Sequence, residues 1–205
     1  MTFHETLGVL DLAGTFVFAL SGAHAAARKQ MDVVGMFSLG LVTAIGGGTL
    51  RSLLIGDFPV PLLRTPWPLA LVLLATLIVF LGWRQIERLN KPIRLFDAIG
   101  LGVFVSAGVA ISLDLGQPWW SALLLGCITA IFGGIVRDVL RNEVPFVLLP
   151  AELYATTVIL GAVAFLLAEW LGVERQHAMV IGAVITITTR LFAMYFRWET
   201  IPARE

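Results

Sequence analysis

The sequence predicts an all-α integral membrane protein: a single domain, residues 1–205, of seven transmembrane helices, built as an inverted repeat of two three-helix units plus a seventh helix. Three observations predict it. The chain is 58% hydrophobic and 14% charged, with mean hydropathy +0.90, whereas soluble domains carry about 25% charged residues. Turn and charge signals cut it into seven apolar stretches near the ~20 residues that a bilayer-crossing helix needs. The chain also matches itself at an offset of about 86 residues, with Asp11–Leu62 aligning on Asp97–Leu148 without a gap.

Each stretch is bounded by its breakers. The first, Leu7 to Ala27, follows a start without basic residues and contains Asp11, so it reads as a retained helix and not a signal peptide. Arg28, Lys29 and Asp32 divide it from Val33 to Ile55, and Asp57, Pro59 and Pro61 lead to Pro66 to Trp83. Glu87 to Pro92 precede Arg94 to Leu113, and Asp114 to Pro118 precede the fifth stretch, Pro118 to Arg141. Asn142 to Pro145 precede Leu149 to Leu171, and Gly172 to Gln176 precede the last, His177 to Phe196. The repeats then cover about 7–83 and 94–171, with the extra helix at about 177–196.

Three crossings per unit are odd, so the second unit enters the membrane from the opposite side to the first. The binding site of such architectures lies near the midplane, between the broken helices of the two halves. Arg28, Lys29, Arg84, Arg88, Lys91, Arg94, Arg141, Arg197 and Arg204 fall on one face and only Arg64 and Arg175 on the other. The positive-inside rule makes the first face cytoplasmic, with the N-terminus outside and the C-terminus inside the cytoplasmic membrane. All six tryptophans stand near predicted helix ends, where an interfacial belt would place them.

The chemistry is expected at Thr43–Arg51 (TAIGGGTLR) and its echo Thr129–Arg137 (TAIFGGIVR). Adjacent glycines weaken a helix interior by roughly 1 kcal/mol each, and an arginine at bilayer depth costs a few kcal/mol or more. Two readings of Gly46, Gly47, Gly48, Gly133 and Gly134 stand: a helix break whose freed backbone lines a watery path, or close packing of small residues. Gly14, Gly22, Gly100 and Gly108 read as packing positions. Arg51 and Arg137 need partners, and the repeat offers two related pairs, Asp11 with Arg51 outside and Asp97 with Arg137 inside. Asp138 has Ser52 as its counterpart, so it is either an extra carboxylate on a cation path or a helix-end partner of Arg141. Thr15, Ser21, Thr49 and Ser106 carry hydroxyls that could meet an ion or bond back to their own helix.

Several classes are excluded or disfavoured. A net charge of +0 gives no field for nucleic acid. Cys127 stands alone, and His4, His24 and His177 lack metal-ligand spacing. GGGTLR lacks the lysine and spacing of a phosphate loop, and neither a nucleophile elbow nor a zinc-protease signature occurs, so no enzyme and no cofactor is expected.

DLAGTFVFALSGAHAA, GGGTLR with its trailing Gly56 and Pro59, and IFGGIVRDVLRNEVPFVL resemble the prokaryotic branch of the trimeric intracellular cation (TRIC) channel family. The resemblance implies a homotrimer in which each protomer has its own pore for K+ and other monovalent cations such as Na+, with membrane lipids as surroundings and kinks at Gly46–Gly48 and Gly133–Gly134. Relatives commonly carry an aspartate where Ser52 stands here, so any role of that carboxylate does not transfer. Nor is the phosphoinositide binding of animal relatives carried over. The expected pore and gate set is Gly46, Gly47, Gly48, Thr49, Arg51, Asp11, Ser21, Asp97, Gly133, Gly134, Arg137 and Asp138. The rival reading is a secondary transporter of a small solute such as an amino acid, because inverted repeats and discontinuous helices serve transporters equally.

Overall fold

A computed structural model describes residues 3–87, 92–149 and 153–198, without the side chains of His4, Arg84 and Pro92. Arg88, Lys91, Arg204 and the Arg84 side chain, used above for orientation, lie outside the described residues. The described residues form α1 (Phe3–Arg28), α2 (Val33–Ile55), the one-turn α3 (Pro61–Arg64), α4 (Trp67–Glu87), α5 (Pro92–Asp114), α6 (Trp119–Leu140), α7 (Ala155–Trp170) and α8 (Arg175–Phe196). A 3-10 turn, Phe146–Leu148, leads toward α7. Among the described residues there is no strand. Among the described residues five helices are long and apolar enough to cross a membrane: α1, α2, α5, α6 and α8. The apolar parts of α4 and α7, Trp67–Trp83 and Ala155–Trp170, are shorter.

Helix ends follow local chemistry. Asp32 caps α2 by accepting a 2.7 Å bond at Oδ1 from the Gly35 N–H, satisfying one of the donors that a helix start leaves free. Gly56, at φ 70°, closes the same helix in the left-handed region, which glycine enters without a Cβ penalty. Asp32→Ala should therefore cost about 1 kcal/mol, read as a small fall in the thermal midpoint of the purified protein. An unchanged midpoint would mean that solvent replaces the cap.

Burial places α5 at the centre. Its apolar window is 78% buried, against 33% for α2 and α8. Leu73, Leu77, Leu81, Leu124, Leu160, Val184 and Phe192 point outward, as a lipid-facing surface permits. Around α5 the two repeats interlock reciprocally. Phe18 of α1 packs on Gly100 of α5, Phe104 of α5 packs on Gly14 of α1, and the two rings meet edge to face at 5.0 Å. Gly22 likewise faces Leu39, Gly40 and Thr43, while its counterpart Gly108 faces Gly126 and Thr129.

The expected breaks in the second and fifth spans are absent, and this corrects the sequence reading: α2 and α6 run unbroken through Gly46–Gly48 and Gly133–Gly134. The glycines instead let the two helices cross at backbone contact. A Cβ on Gly47 would overlap the Thr129 carbonyl oxygen, and one on Gly133 would overlap the carbonyl oxygen of Thr43. The intrahelical ladder survives because a roughly 1 kcal/mol propensity loss per glycine is smaller than the several kcal/mol of exposing unpaired backbone in an apolar medium. Thr43 and Thr129 hydroxyls bond back to the Leu39 and Leu125 carbonyls at 2.6 Å, so neither is free at the crossing.

Candidate functional site

On one side of the crossing lies a buried charge network. Arg137, fully buried on α6, donates from Nε to Asp138 Oδ1 at 2.8 Å and from Nη2 to Asp138 Oδ2 at 3.2 Å. Its Nη1 donates to Asp97 Oδ1 on α5 and to Ser21 Oγ on α1, both at 2.7 Å. Gly134 makes room for this assembly, since a Cβ there would meet the Tyr154 hydroxyl at 3.0 Å, Asp97 Oδ1 at 3.4 Å and Arg137 Nη2 at 3.6 Å. Asp138 also accepts from the Phe146 backbone N–H at 3.2 Å. Its Oδ1 lies 3.7 Å from Arg141, the helix-end partner expected for it, but Arg137 holds it more closely.

Phe146 stands between this network and a cavity of about 410 Å³ lined by Arg28, Lys29, Ile93, Arg94, Arg141, Glu143 and Phe146. The guanidinium carbons of Arg94 and Arg137 lie 5.5 and 5.4 Å from the centre of its ring, a cation–π arrangement. Arg137 itself lines no part of that cavity. Lys29 and Arg141 both pair with Glu143 at 3.0 Å, which tempers the cavity's positive charge.

The other side is open. A second cavity, also about 410 Å³, is lined by Asp11, Arg51, Asp57, Pro61, Arg64, Pro68 and Asp114 among others. A small pocket continuing from Asp11 reaches Thr15, Ala44, Gly48 and Phe104. Arg51 is 2% exposed, and its Nε and Nη1 meet no acceptor among the described residues. Asp11 and Asp57 oppose its charge, yet neither closes to an ion pair with Arg51 within 4 Å. Asp57 is engaged by Arg64 at 2.5 Å and accepts from Ser52 Oγ at 3.4 Å.

The expected set therefore divides. Asp97, Arg137, Asp138, Gly134 and Ser21 come together on one side; Asp11 and Arg51 line the cavity on the other, and Gly48 lines the small pocket that adjoins it. Gly46, Gly47 and Gly133 form the crossing, while Thr49 is half-buried and lines neither cavity. His24 is buried beside the Trp83 ring at 5.0 Å, 3.2 Å from Glu87. Arg190 is buried over the Tyr154 ring at 4.9 Å and donates to the Leu153 carbonyl. Phe146 and Tyr154 were missed. The repeat offset carries their signal, because it sets them opposite the smaller Val60 and Pro68.

Comparison with known proteins accounts for the repeat. The family model described as glycine transporter matches twice, over residues 8–84 and 94–170, two copies 86 residues apart. The UPF0126 inner membrane protein YadS of Escherichia coli K12 is 38% identical over 192 residues, 93% of this chain and 91% of that protein. YvgT, a UPF0126 membrane protein of Bacillus subtilis, is 35% identical over 96% of each chain. A TRIC cation channel studied for its conductance superposes with TM-score 0.86 at 36% identity, over 100% of this chain and 98% of that one. The TRIC orthologue of Rhodobacter sphaeroides gives TM-score 0.88 at 33% identity, over 93% and 97%. The chain is thus a multi-pass membrane protein, and it belongs to the family that unites the UPF0126 membrane proteins with the prokaryotic TRIC channels.

Proposed function

We propose that this protein is a passive cation channel of the cytoplasmic membrane, permeable to K+ and Na+, assembled as a homotrimer with one path through each protomer. Seven helices cross the membrane, the N-terminus lies outside and the C-terminus in the cytoplasm, so the Arg51 cavity is the outer mouth and the Arg94–Arg141 cavity the inner one. The observation that carries this reading is the pair of cavities lined in part by charged side chains on either side of the α2–α6 crossing, in a chain 33–36% identical to TRIC cation channels. Gly47 and Gly133 are the gate, closed in this arrangement. Gly46, Gly48, Thr49 and Gly134 flank it, and Asp11 with Arg51 guards one end as Asp97, Arg137, Asp138 and Ser21 guard the other. Arginines beside a cation path repel the permeating ion unless paired, and the inner Arg137 is paired with two carboxylates.

Recording from the purified protein in a planar bilayer under a KCl gradient tests the reading. Unitary currents reversing near the potassium equilibrium potential are expected. A second reading, a secondary transporter of a small amino acid, is favoured by the description of the matching family model and by cavities closed from one another at the midpoint. Electrical silence together with saturable, gradient-driven glycine uptake into vesicles would overturn the channel in its favour.

A further inference from the structure

The Phe146 ring belongs to two environments at once. It lines the inner cavity together with Arg94, and it lies within cation–π range of the fully buried Arg137, whose guanidinium carbon is 5.4 Å from the ring centre. Arg94 reaches the same ring at 5.5 Å. The backbone is held as well, because the Phe146 N–H donates to Asp138 Oδ2 at 3.2 Å. The ring is thus fixed where the cavity ends and the buried charges begin. Ser21 lies on the buried side of the same wall: it is 0% exposed, accepts from Arg137 at 2.7 Å and donates at 3.5 Å to the carbonyl of Ile93, which lines the cavity. The outer half has neither part of this arrangement. The 86-residue offset sets Gly8 opposite Arg94 and Val60 opposite Phe146. Gly8 lines the outer cavity, and a Cβ there would meet nothing within 4 Å. Arg51 is part of the outer cavity's wall, whereas Arg137 is screened from the inner one.

We propose, resting on the channel reading above, that Phe146 is a second gate in series with the crossing at Gly47 and Gly133: an apolar septum that seals the inner half and has no counterpart in the outer. The ring keeps water from the passage to Asp97 and Asp138, and an apolar constriction blocks ions for as long as it stays dry. The two guanidiniums hold the ring in place, and a cation–π contact counts for more where water is excluded, as at Arg137. Opening requires the ring to leave Arg137, which brings the paired carboxylates to the edge of the cavity. A ring moves by rotamer exchange and the crossing by displacement of whole helices, so the two gates work on different timescales.

Thiol accessibility tests the septum without current. In a Cys127→Ala background, Ser21→Cys places a thiol on the buried side of the ring, and Gly8→Cys places one in the outer cavity. Each is treated, in detergent-purified protein, with 2-aminoethyl methanethiosulfonate, a small hydrophilic cation. Gly8→Cys should react as an exposed thiol does, and Ser21→Cys about a hundredfold more slowly, since its reaction waits for the wall to open locally. Adding Phe146→Ala should speed Ser21→Cys about tenfold and leave Gly8→Cys unchanged. Phe146→Leu keeps apolar bulk but loses the grip of the guanidiniums, so its rate should fall between the two. It also carries the test if the alanine variant does not fold, which thermal melting checks. In bilayer recordings either substitution should raise the fraction of time spent conducting by roughly three- to tenfold, as loss of a cation–π contact shifts a two-state equilibrium. Fast reaction of Ser21→Cys behind an intact Phe146, continued protection after Phe146→Ala, or protection by leucine equal to that by phenylalanine would each overturn the septum. An unchanged conducting fraction beside an exposed thiol would overturn its part in gating. A silent bilayer sinks the channel reading instead, while the thiol rates still decide whether Phe146 seals the inner half.

Discussion

Gly47→Ala and Gly133→Ala should each destabilise the protein by about 3 kcal/mol, at the upper end of the usual cost of overpacking, while Gly46→Ala should not. Any Cβ at the first two positions overlaps a carbonyl oxygen of the facing helix, and backbone cannot swing aside as a side chain can. At Gly46 the added carbon would lie 3.6 Å from the Gly133 Cα and 3.7 Å from the Phe132 ring, ordinary contact, and alanine's helix propensity would return roughly 1 kcal/mol. For a chain of this length the first two substitutions correspond to a fall in melting midpoint of roughly 10 °C. In bilayer recordings the same two should alter opening, with Gly46→Ala close to the unmodified protein. Equal tolerance at all three positions would remove the close crossing as the reason for the glycines.

The second large effect separates the two arginines. Arg137→Met strands Asp97 and Asp138 in the core and should cost about 3–5 kcal/mol, the usual penalty for breaking a buried ion pair from one side. Arg51→Met removes a buried guanidinium with two unmatched donors. Its cost should stay below about 1 kcal/mol or turn favourable, because a poorly paired buried charge contributes little net stability. Thermal melting of the two variants side by side checks this, and a double-mutant cycle over Asp97 and Arg137 measures the inner coupling. Equal losses would mean that Arg51 has protein partners as strong as those of Arg137.

Much of this was legible in the chain, because a duplicated unit writes each structural demand twice. Asp, Gly, Arg and Pro recurring at one offset cannot come from hydrophobicity alone, and Gly14 and Gly100 were anticipated as packing positions, though not the Phe104 and Phe18 rings that pack on them. The Gly46–Gly48 element was ambiguous on physical grounds: a helix break and a backbone-to-backbone crossing demand the same residue, and only the facing carbonyls of Thr129 and Thr43 distinguish them. The difference between Arg51 and Arg137 was half visible. Ser52 in place of an aspartate announced it, but whether Asp11 would reach Arg51 depends on how α1 sits against α2, which spacing along a helix does not encode. Phe146 follows Pro145 just past α6, where its ring position is set by tertiary contacts with Arg94 and Arg137.

The α2–α6 crossing also constrains time. A constriction formed by a side chain can flicker as rotamers exchange within nanoseconds, but one formed by two main chains loosens only when whole helices part, a motion of microseconds to milliseconds. Because Gly47 touches Thr129 while Gly133 touches Thr43, the contacts are two halves of one pseudo-symmetric joint, and parting the helices at one releases the other. On the channel reading proposed above, such a joint would favour two long-lived conditions, shut and parted, with few intermediate widths between them.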